Sequence, residues 1–298
     1  MFTNTGKPKV HFVGNFAFHE CDLGEFPQSN GTVIKKFLLP CGKCIGCKLD
    51  KAKTWALRCM HEVKFHSDSC WLTLTYDDEH LPQENGFSKL VKSDLQKFIK
   101  RLRKDGCKFK YFGCGEYGDK TGRCHFHIIL FGYRPTDLEV YKKSKEGFIM
   151  YNSAYLQKKW KNGFVVVADV SFDTAGYTAR YSMKKQFKTD IINPNEEIYE
   201  PFLCMSTKPA IGKEWYNTFK DDVFPNDKVV FYRNGDPVIT RPPRYYEKLL
   251  ESENPALFEA IKQKRLENIN QKSISNYVAS EYIKEQKMSR FHSRDVEI

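Results

Sequence analysis

Short segments with a clear hydrophobic pattern alternate along the middle of the chain. WLTLTY at 71–76 alternates with a period of two and is rich in β-branched and aromatic residues, which predicts a strand. KSDLQKFIKRLRK at 92–104 predicts a helix with Ser93 as its N-cap, because its apolar residues recur every three or four positions. The apolar residues of this helix are Leu95, Phe98, Ile99 and Leu102.

The segments that follow continue this mixture of strands and helices. Strands are predicted for FKYFGCGEYG, RCHFHIILFGY and GFVVVADVS, and helices around 151–160 and for DTAGYTARYSMKKQF. The order strand, helix, two strands, helix, strand, helix predicts an α+β core at 67–190 built on a largely antiparallel sheet. Residues 1–66 show no clear period before a cysteine-rich knuckle and a basic helix. Residues 191–298 predict a mostly helical appendage.

Composition narrows the class of protein. The 298 residues are 41% hydrophobic and 14% aromatic, which is enough to build a globular core. A formal net charge of +11 favours a polyanionic partner, nucleic acid before membrane, although the charge could also serve only solubility. No run of about 18 apolar residues and no signal peptide are evident, so we expect a cytoplasmic protein whose ten cysteines are thiols or metal ligands.

Two histidines lie one residue apart on a strand that otherwise reads as buried. Strand alternation places His125, His127, Ile129 and Phe131 on one face and Phe126, Ile128 and Leu130 on the other. If 119–122 form a four-residue hairpin tip, Glu116 falls directly opposite His125. One carboxylate and two imidazoles would then converge on one face, as a metal site with open positions requires.

The identity of the ion stays open at this stage. Histidine and glutamate suit Zn²⁺, Mn²⁺ and Mg²⁺, and a phosphate substrate would favour the harder ions Mg²⁺ and Mn²⁺. The alternative interpretation is that both histidines are polar residues on a solvated sheet face, without an ion.

A second group of chemically active residues follows on the last predicted helix of the core. In YTARYSMKK, Tyr177 and Tyr181 are four residues apart and Lys184 is three beyond, so all three share one helix face. The tyrosines could simply pack in the core. As nucleophiles they would need a phenolate, which costs about 4 kcal/mol at pH 7, and the Lys184 ammonium would offset part of that cost.

These motifs together resemble a known family. CHFHIIL resembles the histidine pair of HUH endonucleases, YTARYSMK their two-tyrosine helix, and LTLTYDD the first motif of replication initiators. With PCGKCIGCKLDKAKTWALRCMHE and DLQKFIKRLRK, the chain looks like a replication initiator of microviruses, the small single-stranded DNA phages of the gokushovirus kind. The resemblance spans 41–185, about half of the chain.

The resemblance implies an HUH nuclease core with an RRM-like or ferredoxin-like sheet at 67–190. It further implies metal ligands at Glu116, His125 and His127, nucleophiles at Tyr177 and Tyr181, and Lys184 as the motif lysine. The expected activity is a nick in single-stranded DNA at the viral replication origin that leaves a 5′-phosphotyrosine and is later rejoined, with Mg²⁺ or Mn²⁺. The chain contains no Walker motif, so we expect a helicase and a polymerase from the bacterial host.

The cysteine knuckle allows two interpretations. Cys41, Cys44 and Cys47 form CxxCxxC, which would need a fourth ligand to close a structural Zn²⁺ site. The candidates for that ligand are Cys59, His61 and Cys21. The other interpretation is a set of reduced cysteines packed beneath the following helix.

Two other functions compete with the phage initiator. One is a non-catalytic, zinc-dependent nucleic-acid-binding protein with a structural histidine pair, and the other is an HUH transposase or plasmid initiator. In each case basic residues at 48–58, where Trp55 is interleaved, and at 97–104 are candidates to contact phosphates, so we expect binding to weaken with salt. The alternative is that these runs are solvated faces.

Overall fold

The structure is a computed structural model that describes residues 9–13, 16–27, 33–39, 45–118, 121–144, 147–181, 201–233, 235–267 and 282–283. The strands are β1 Lys9–Val13, β2 Phe16–Pro27, β3 Val33–Leu39, β4 Ser69–Tyr76, β5 Gln83–Glu84, β6 Phe87–Ser88, β7 Lys110–Tyr117, β8 Cys124–Phe131, β9 Leu138–Lys143, β10 Ile149–Ser153, β11 Gly163–Ala168, β12 Phe202–Met205, β13 Val229–Arg233 and β14 Asp236–Thr240. The helices are α1 Ile45–Val63, α2 Lys92–Lys104, α3 Ala154–Trp160, α4 Phe172–Tyr181, α5 Lys213–Val223, α6 Arg244–Glu253 and α7 Pro255–Glu267.

The chain divides into two compact units. The larger comprises Ala52–Lys220 and Phe231–Val238, and the smaller contains the described parts of Met1–Lys51, Asp221–Val230 and Ile239–Asp295. The smaller unit includes the three-stranded sheet β1-β2-β3. The candidate chemistry lies in the larger unit.

The larger unit is built on a seven-stranded sheet in the order β12-β7-β8-β4-β11-β10-β9. All of its neighbouring strands are antiparallel. This confirms the predicted α+β class with a largely antiparallel sheet flanked by helices, and it is consistent with the HUH-like and RRM-like core.

Hydrophobic side chains cover both faces of the sheet. One cluster contains Phe126, Ile128 and Leu130 of β8, the four apolar residues predicted for α2, and Leu156 and Trp160 of α3. The opposite cluster contains Ile129 and Phe131 of β8, and its helix residues are small: Ala52, Ala56 and Cys59 of α1 and Ala175 and Ala179 of α4. The predicted alternation along β8 is therefore confirmed.

Two local predictions were wrong. Ser93 is not the N-cap of α2, because the helix begins at Lys92 and its N-cap, Val91, makes no side-chain capping bond. Tyr76 Oη instead donates to Asp94 Oδ2 at 3.0 Å and fixes the first turn. The helix around 151–160 begins only at α3, where Ser153 Oγ accepts from Leu156 N at 3.1 Å, and the residues before it form β10.

Other elements were missed because their sequences lack a clear alternation. Strand β9 is mostly exposed and pairs only with β10, and β1–β3 fall where the sequence shows no period. Strand β12 lies in the predicted appendage but pairs with β7 at the edge of the large sheet, with Phe202 opposite Gly115. A Cβ at Gly115 would overlap the Phe202 ring, so glycine permits this contact. The division of the chain into three functional parts stays a prediction.

The structure was also searched for membrane-spanning helices. Within the described ranges, no helix combines the length and the apolar character that crossing a bilayer requires.

Candidate metal and nucleophile site

The hairpin between β7 and β8 has the register that the sequence predicts. Glu116 is the direct partner of His125, and Gly118 N donates to Arg123 O at 2.9 Å beside the tip. The next pair along the same face brings His127 to the same carboxylate. The sheet therefore places one carboxylate and two imidazoles side by side.

A single carboxylate oxygen joins the three side chains. Glu116 Oε1 lies 2.8 Å from Nε2 of His125 and 2.8 Å from Nε2 of His127. Glu116 and His127 are fully buried, whereas 15% of the His125 side chain is exposed. The group is thus closed on the protein side and reachable from solvent at His125.

The hydrogen bonds of His125 indicate what its inner nitrogen can do. Nδ1 of His125 lies 3.2 Å from the backbone carbonyl of Arg123, and a carbonyl only accepts, so Nδ1 carries a proton. In a neutral imidazole, Nε2 then presents a lone pair, and it faces a carboxylate oxygen at 2.8 Å. Two electron-rich atoms at that distance need a positive charge between them, either a second imidazole proton or a cation.

The donor set fits a divalent cation. The ligand atoms of Glu116, His125 and His127 all lie within 4.8 Å of one another. Within the described part of the chain, Glu116 Oε2 is buried without a hydrogen-bond partner, a costly state for a carboxylate oxygen that a bound cation would relieve. Two nitrogens and one carboxylate leave positions open for water and substrate.

Strand β4 supplies two side chains that fix His127. Thr73 Oγ1 lies 3.0 Å from Nδ1 of His127, and the Trp71 ring stacks on the imidazole with the centroids 4.9 Å apart and the planes at 10°. Partners of this kind set the tautomer and the orientation of metal-binding histidines. Both residues were missed as site residues. The alternation in WLTLTY, which puts Trp71, Thr73 and Thr75 on one face, was the available signal.

Helix α4 brings a predicted nucleophile to this group. The half-buried Tyr177 ring lies edge-on to His127, with centroids 5.0 Å apart and an angle of 84°, and edge-on to Trp71 at 6.1 Å. Trp71 Nε1 donates to Thr178 Oγ1 at 2.9 Å, and Thr178 Oγ1 donates to Thr174 O at 2.9 Å. Trp71 therefore connects the histidine strand to the tyrosine helix.

The other two predicted catalytic residues cannot be located in the same way. Tyr181 ends α4, and its side chain lies outside the described residues. Lys184 lies wholly outside them.

Comparison with known proteins places the chain in a family. The family model for the replication-associated protein ORF2 group matches residues 69–186. The chain is 34% identical over 244 residues to replication-associated protein VP4 of Bdellovibrio phage phiMH2K, a match that covers 78% of this chain and 74% of that protein. It is 30% identical over 257 residues to replication-associated protein ORF2 of Spiroplasma virus 4, with coverages of 82% and 78%. The chain belongs to the replication-associated proteins of the microviruses.

Further comparisons agree with this membership. Replication-associated protein ORF4 of Chlamydia phage 1 is 38% identical over 158 residues, which cover 50% of this chain and 39% of that protein. No solved structure matches the chain. Membership in a phage family favours the phage initiator over the transposase or plasmid initiator.

The cysteine knuckle of this microvirus protein is only partly described. Cys41 and Cys44 lie outside the described residues, whereas Cys47 and Cys59 both lie on α1. They are twelve residues apart, which is about 18 Å along a helix, so they cannot hold one ion together. The prediction of Cys59 as a zinc ligand with Cys47 was wrong. Cys59 is instead a buried core thiol, and burial raises its pKa.

The same geometry bears on the other candidates for the fourth ligand. His61 is fourteen residues from Cys47 on α1, about 21 Å along the helix, and it stacks on Trp215 with the ring centroids 3.5 Å apart. The side chain of Cys21 lies outside the described residues. A structural zinc at Cys41, Cys44 and Cys47 stays a prediction that lacks an identified fourth ligand.

Some cations of the predicted DNA-binding segments have roles inside the protein. Arg58 is buried, donates to Ile211 O at 2.9 Å and stacks over Trp55 at 4.1 Å. Arg101 of α2 donates to Lys159 O at 3.0 Å. The cations of α2 that are exposed, and so stay candidates for phosphate contact, are Lys97, Lys100, Arg103 and Lys104.

Proposed function

We propose that this protein initiates phage DNA replication by nicking single-stranded DNA at the viral origin through the metal-assisted attack of a tyrosine. Membership in the microvirus replication-associated proteins supports a role in replication initiation. The observation that carries the proposed chemistry is the Glu116 carboxylate, which is buried between two imidazoles with one oxygen unsatisfied. A tyrosine from a neighbouring helix lies against the same imidazole pair.

The three ligands would hold Mg²⁺ or Mn²⁺. A bound ion of this kind would polarise a phosphodiester and stabilise the charge that develops on its oxygens. His125, as the one partly exposed member, lies where a phosphate from solvent would approach. Thr73 and Trp71 hold the His127 ring so that its Nε2 stays directed at Glu116.

Tyr177 or Tyr181 would then act as the nucleophile. Its oxygen forms a bond to phosphorus, the bond from phosphorus to the 3′ oxygen breaks, the phenol loses its proton and the departing 3′ oxygen gains one. The products are a 5′-phosphotyrosine and a free 3′-hydroxyl that can prime synthesis. Lys184 would favour the phenolate through its positive charge.

Two tyrosines one helical turn apart would allow the covalent bond to be kept while a second cut is made. One tyrosine would retain the first 5′ end and the other would cleave the regenerated origin, after which the free 3′-hydroxyl rejoins the strands. Strand separation and synthesis would come from a host helicase and polymerase.

The test is covalent capture of DNA. The protein is incubated with end-labelled single strands that tile the viral genome, with Mn²⁺ or Mg²⁺, with or without chelator, and separated under denaturing conditions. We expect a labelled protein band that the chelator abolishes. Tyr177→Phe and Tyr181→Phe should each retain some cleavage, and the double variant should form no adduct. Tyr232→Phe, a change at a tyrosine that is 72% exposed, is the matched control and should behave as the wild type.

Three outcomes would contradict the proposal. Adduct formation by the double tyrosine variant would exclude these nucleophiles, and adduct formation in chelator would exclude the metal requirement. Tight DNA binding without cleavage of any strand would favour the non-catalytic nucleic-acid-binding function instead.

A further inference from the structure

A phenylalanine lies exposed in the same cross-strand row as the candidate site. Glu116 pairs with His125, His125 pairs with Thr75, and Thr75 pairs with Phe164 on β11. Directly paired residues of antiparallel strands project from the same face. Phe164 is therefore on the face of the metal ligands, two strands from His125, at about 10 Å between Cα atoms. It is 62% exposed.

Exposure alone would say little, because single exposed apolar side chains are common on protein surfaces. The position of this one is unusual in its surroundings. Val166 and Ala168, which follow on the same face of β11, are buried beneath the helix side of the sheet. Only the end of the strand nearest the candidate site presents an open aromatic ring, and the threonine between that ring and His125 is too short to screen it.

The backbone that carries Phe164 is held firmly on both sides. A Cβ at Gly163 would overlap the backbone of Thr75, Tyr76 and Asp77, so β11 and β4 approach more closely there than any other residue would allow. On the outer side, the Gln157 amide donates to Gly163 O and accepts from Val165 N at 3.1 Å. The amide thus replaces the neighbouring strand beside Phe164 and fixes the direction of the ring.

We infer that Phe164 is a stacking platform for an unpaired base of the DNA strand, close to the phosphate that enters the Glu116, His125 and His127 site. This inference rests on the proposed function. A strand whose phosphate lies at His125 must pass over the adjacent sheet face or leave it, and the exposed ring offers the first π surface in the row. Stacking on aromatic side chains is how proteins hold single strands without reading their sequence.

The charges at this edge of the sheet suit such a strand. Lys161, an exposed residue, precedes β11 at the same end. The two nearby carboxylates of the β4 end are neutralised by cations or histidine: Asp77 lies 2.8 Å from His80 Nδ1, and Asp78 lies 2.5 Å from Arg123 Nη1. A phosphate backbone therefore meets little uncompensated negative charge beside Phe164.

The test separates base contacts from phosphate contacts. The probes are a labelled oligothymidylate of about 20 nucleotides, which exceeds the site of one small single-strand-binding fold, and a strand of equal length in which every nucleotide is abasic. The wild type should prefer the strand with bases. Phe164→Ala should bind it about 5- to 150-fold more weakly, the range for loss of one stacked base, and bind the abasic strand unchanged. Phe164→Trp should restore the preference.

The matched control is Phe87→Ala. Phe87 is 63% exposed but lies in the small hairpin β5-β6, outside the large sheet, and its replacement should leave both affinities unchanged. An unchanged affinity of Phe164→Ala for oligothymidylate would overturn the inference, as would an equal loss on both strands. These results would leave the proposed function intact if the wild type still forms the covalent adduct. Absence of both adduct and DNA binding in the wild type would refute the proposed function itself.

Discussion

Replacement of Glu116 by glutamine tests the metal site most directly. The change keeps the shape of the side chain but removes the negative charge that both imidazoles share. A ligand that binds only the folded protein stabilises it by about 2.7 kcal/mol at 100 times its dissociation constant. For a protein unit of this size, 1 kcal/mol shifts the melting temperature by about 2–4 °C. Saturating Mn²⁺ should therefore raise the melting temperature of the wild type by about 5–11 °C.

The variant should lose most of that increase. Changes to residues that merely support metal ligands weaken binding by about 10- to 100-fold, so loss of a charged ligand should cost at least about 100-fold. At the same Mn²⁺ concentration the remaining stabilisation is about 0.4 kcal/mol, or about 1–2 °C in melting temperature. The assay is thermal unfolding of the full chain with and without Mn²⁺, and it does not depend on DNA cleavage.

A second buried glutamate provides the matched control. Glu62 is as buried as Glu116, but it accepts from Lys110 Nζ at 2.6 Å, from His66 Nε2 at 2.9 Å when that nitrogen is protonated, and from Gly212 N at 2.7 Å. Burial alone would raise the pKa of Glu62, but these hydrogen bonds lower it. Glu62→Gln should therefore lower the melting temperature at neutral pH yet keep the full Mn²⁺ increase. The reasoning fails if Glu116→Gln keeps that increase, or if Glu62→Gln loses it.

Two further changes test the helix that carries Tyr177 and a buried histidine. Trp71→Phe keeps the stacking on His127 but removes the bond to Thr178, so unfolding by urea should show a loss of about 1 kcal/mol, and adduct yield should fall more than DNA affinity. Thr178→Val should have a similar effect, and an additive double variant would disprove the coupling. Burial and the nearby Lys64 charge lower the pKa of His61 to about 3. The unfolded chain therefore takes up the proton first, and stability should fall by about 1.4 kcal/mol per pH unit as pH decreases below about 6.5. His61→Phe should flatten this slope in urea unfolding at about pH 7 and pH 5, and an unchanged slope would refute the assignment.

The sequence predicts the central hairpin well because its pattern is local. A period of two fixes which face each residue of β8 occupies, and a short turn fixes the pairing of Glu116 with His125. The small helix residues that cover one face and the pairing of β12 with β7 are not local, and they depend on chain segments far apart in sequence. For the same reason the N-cap of α2 is replaced by a tertiary contact from Tyr76.

The predicted site consists of residues with recognisable chemistry, and the structure adds the residues that hold them in place. Histidines, a glutamate and tyrosines are conspicuous in a sequence, whereas Trp71 and Thr73 read only as part of a strand. Yet these two contact His127 on its outer nitrogen and on its ring face, and Trp71 also bonds the helix of Tyr177. The distance between nucleophile and metal ligands is therefore set by β4, which contributes neither. A change in β4 should consequently alter adduct formation while all three ligands and both tyrosines remain in the chain.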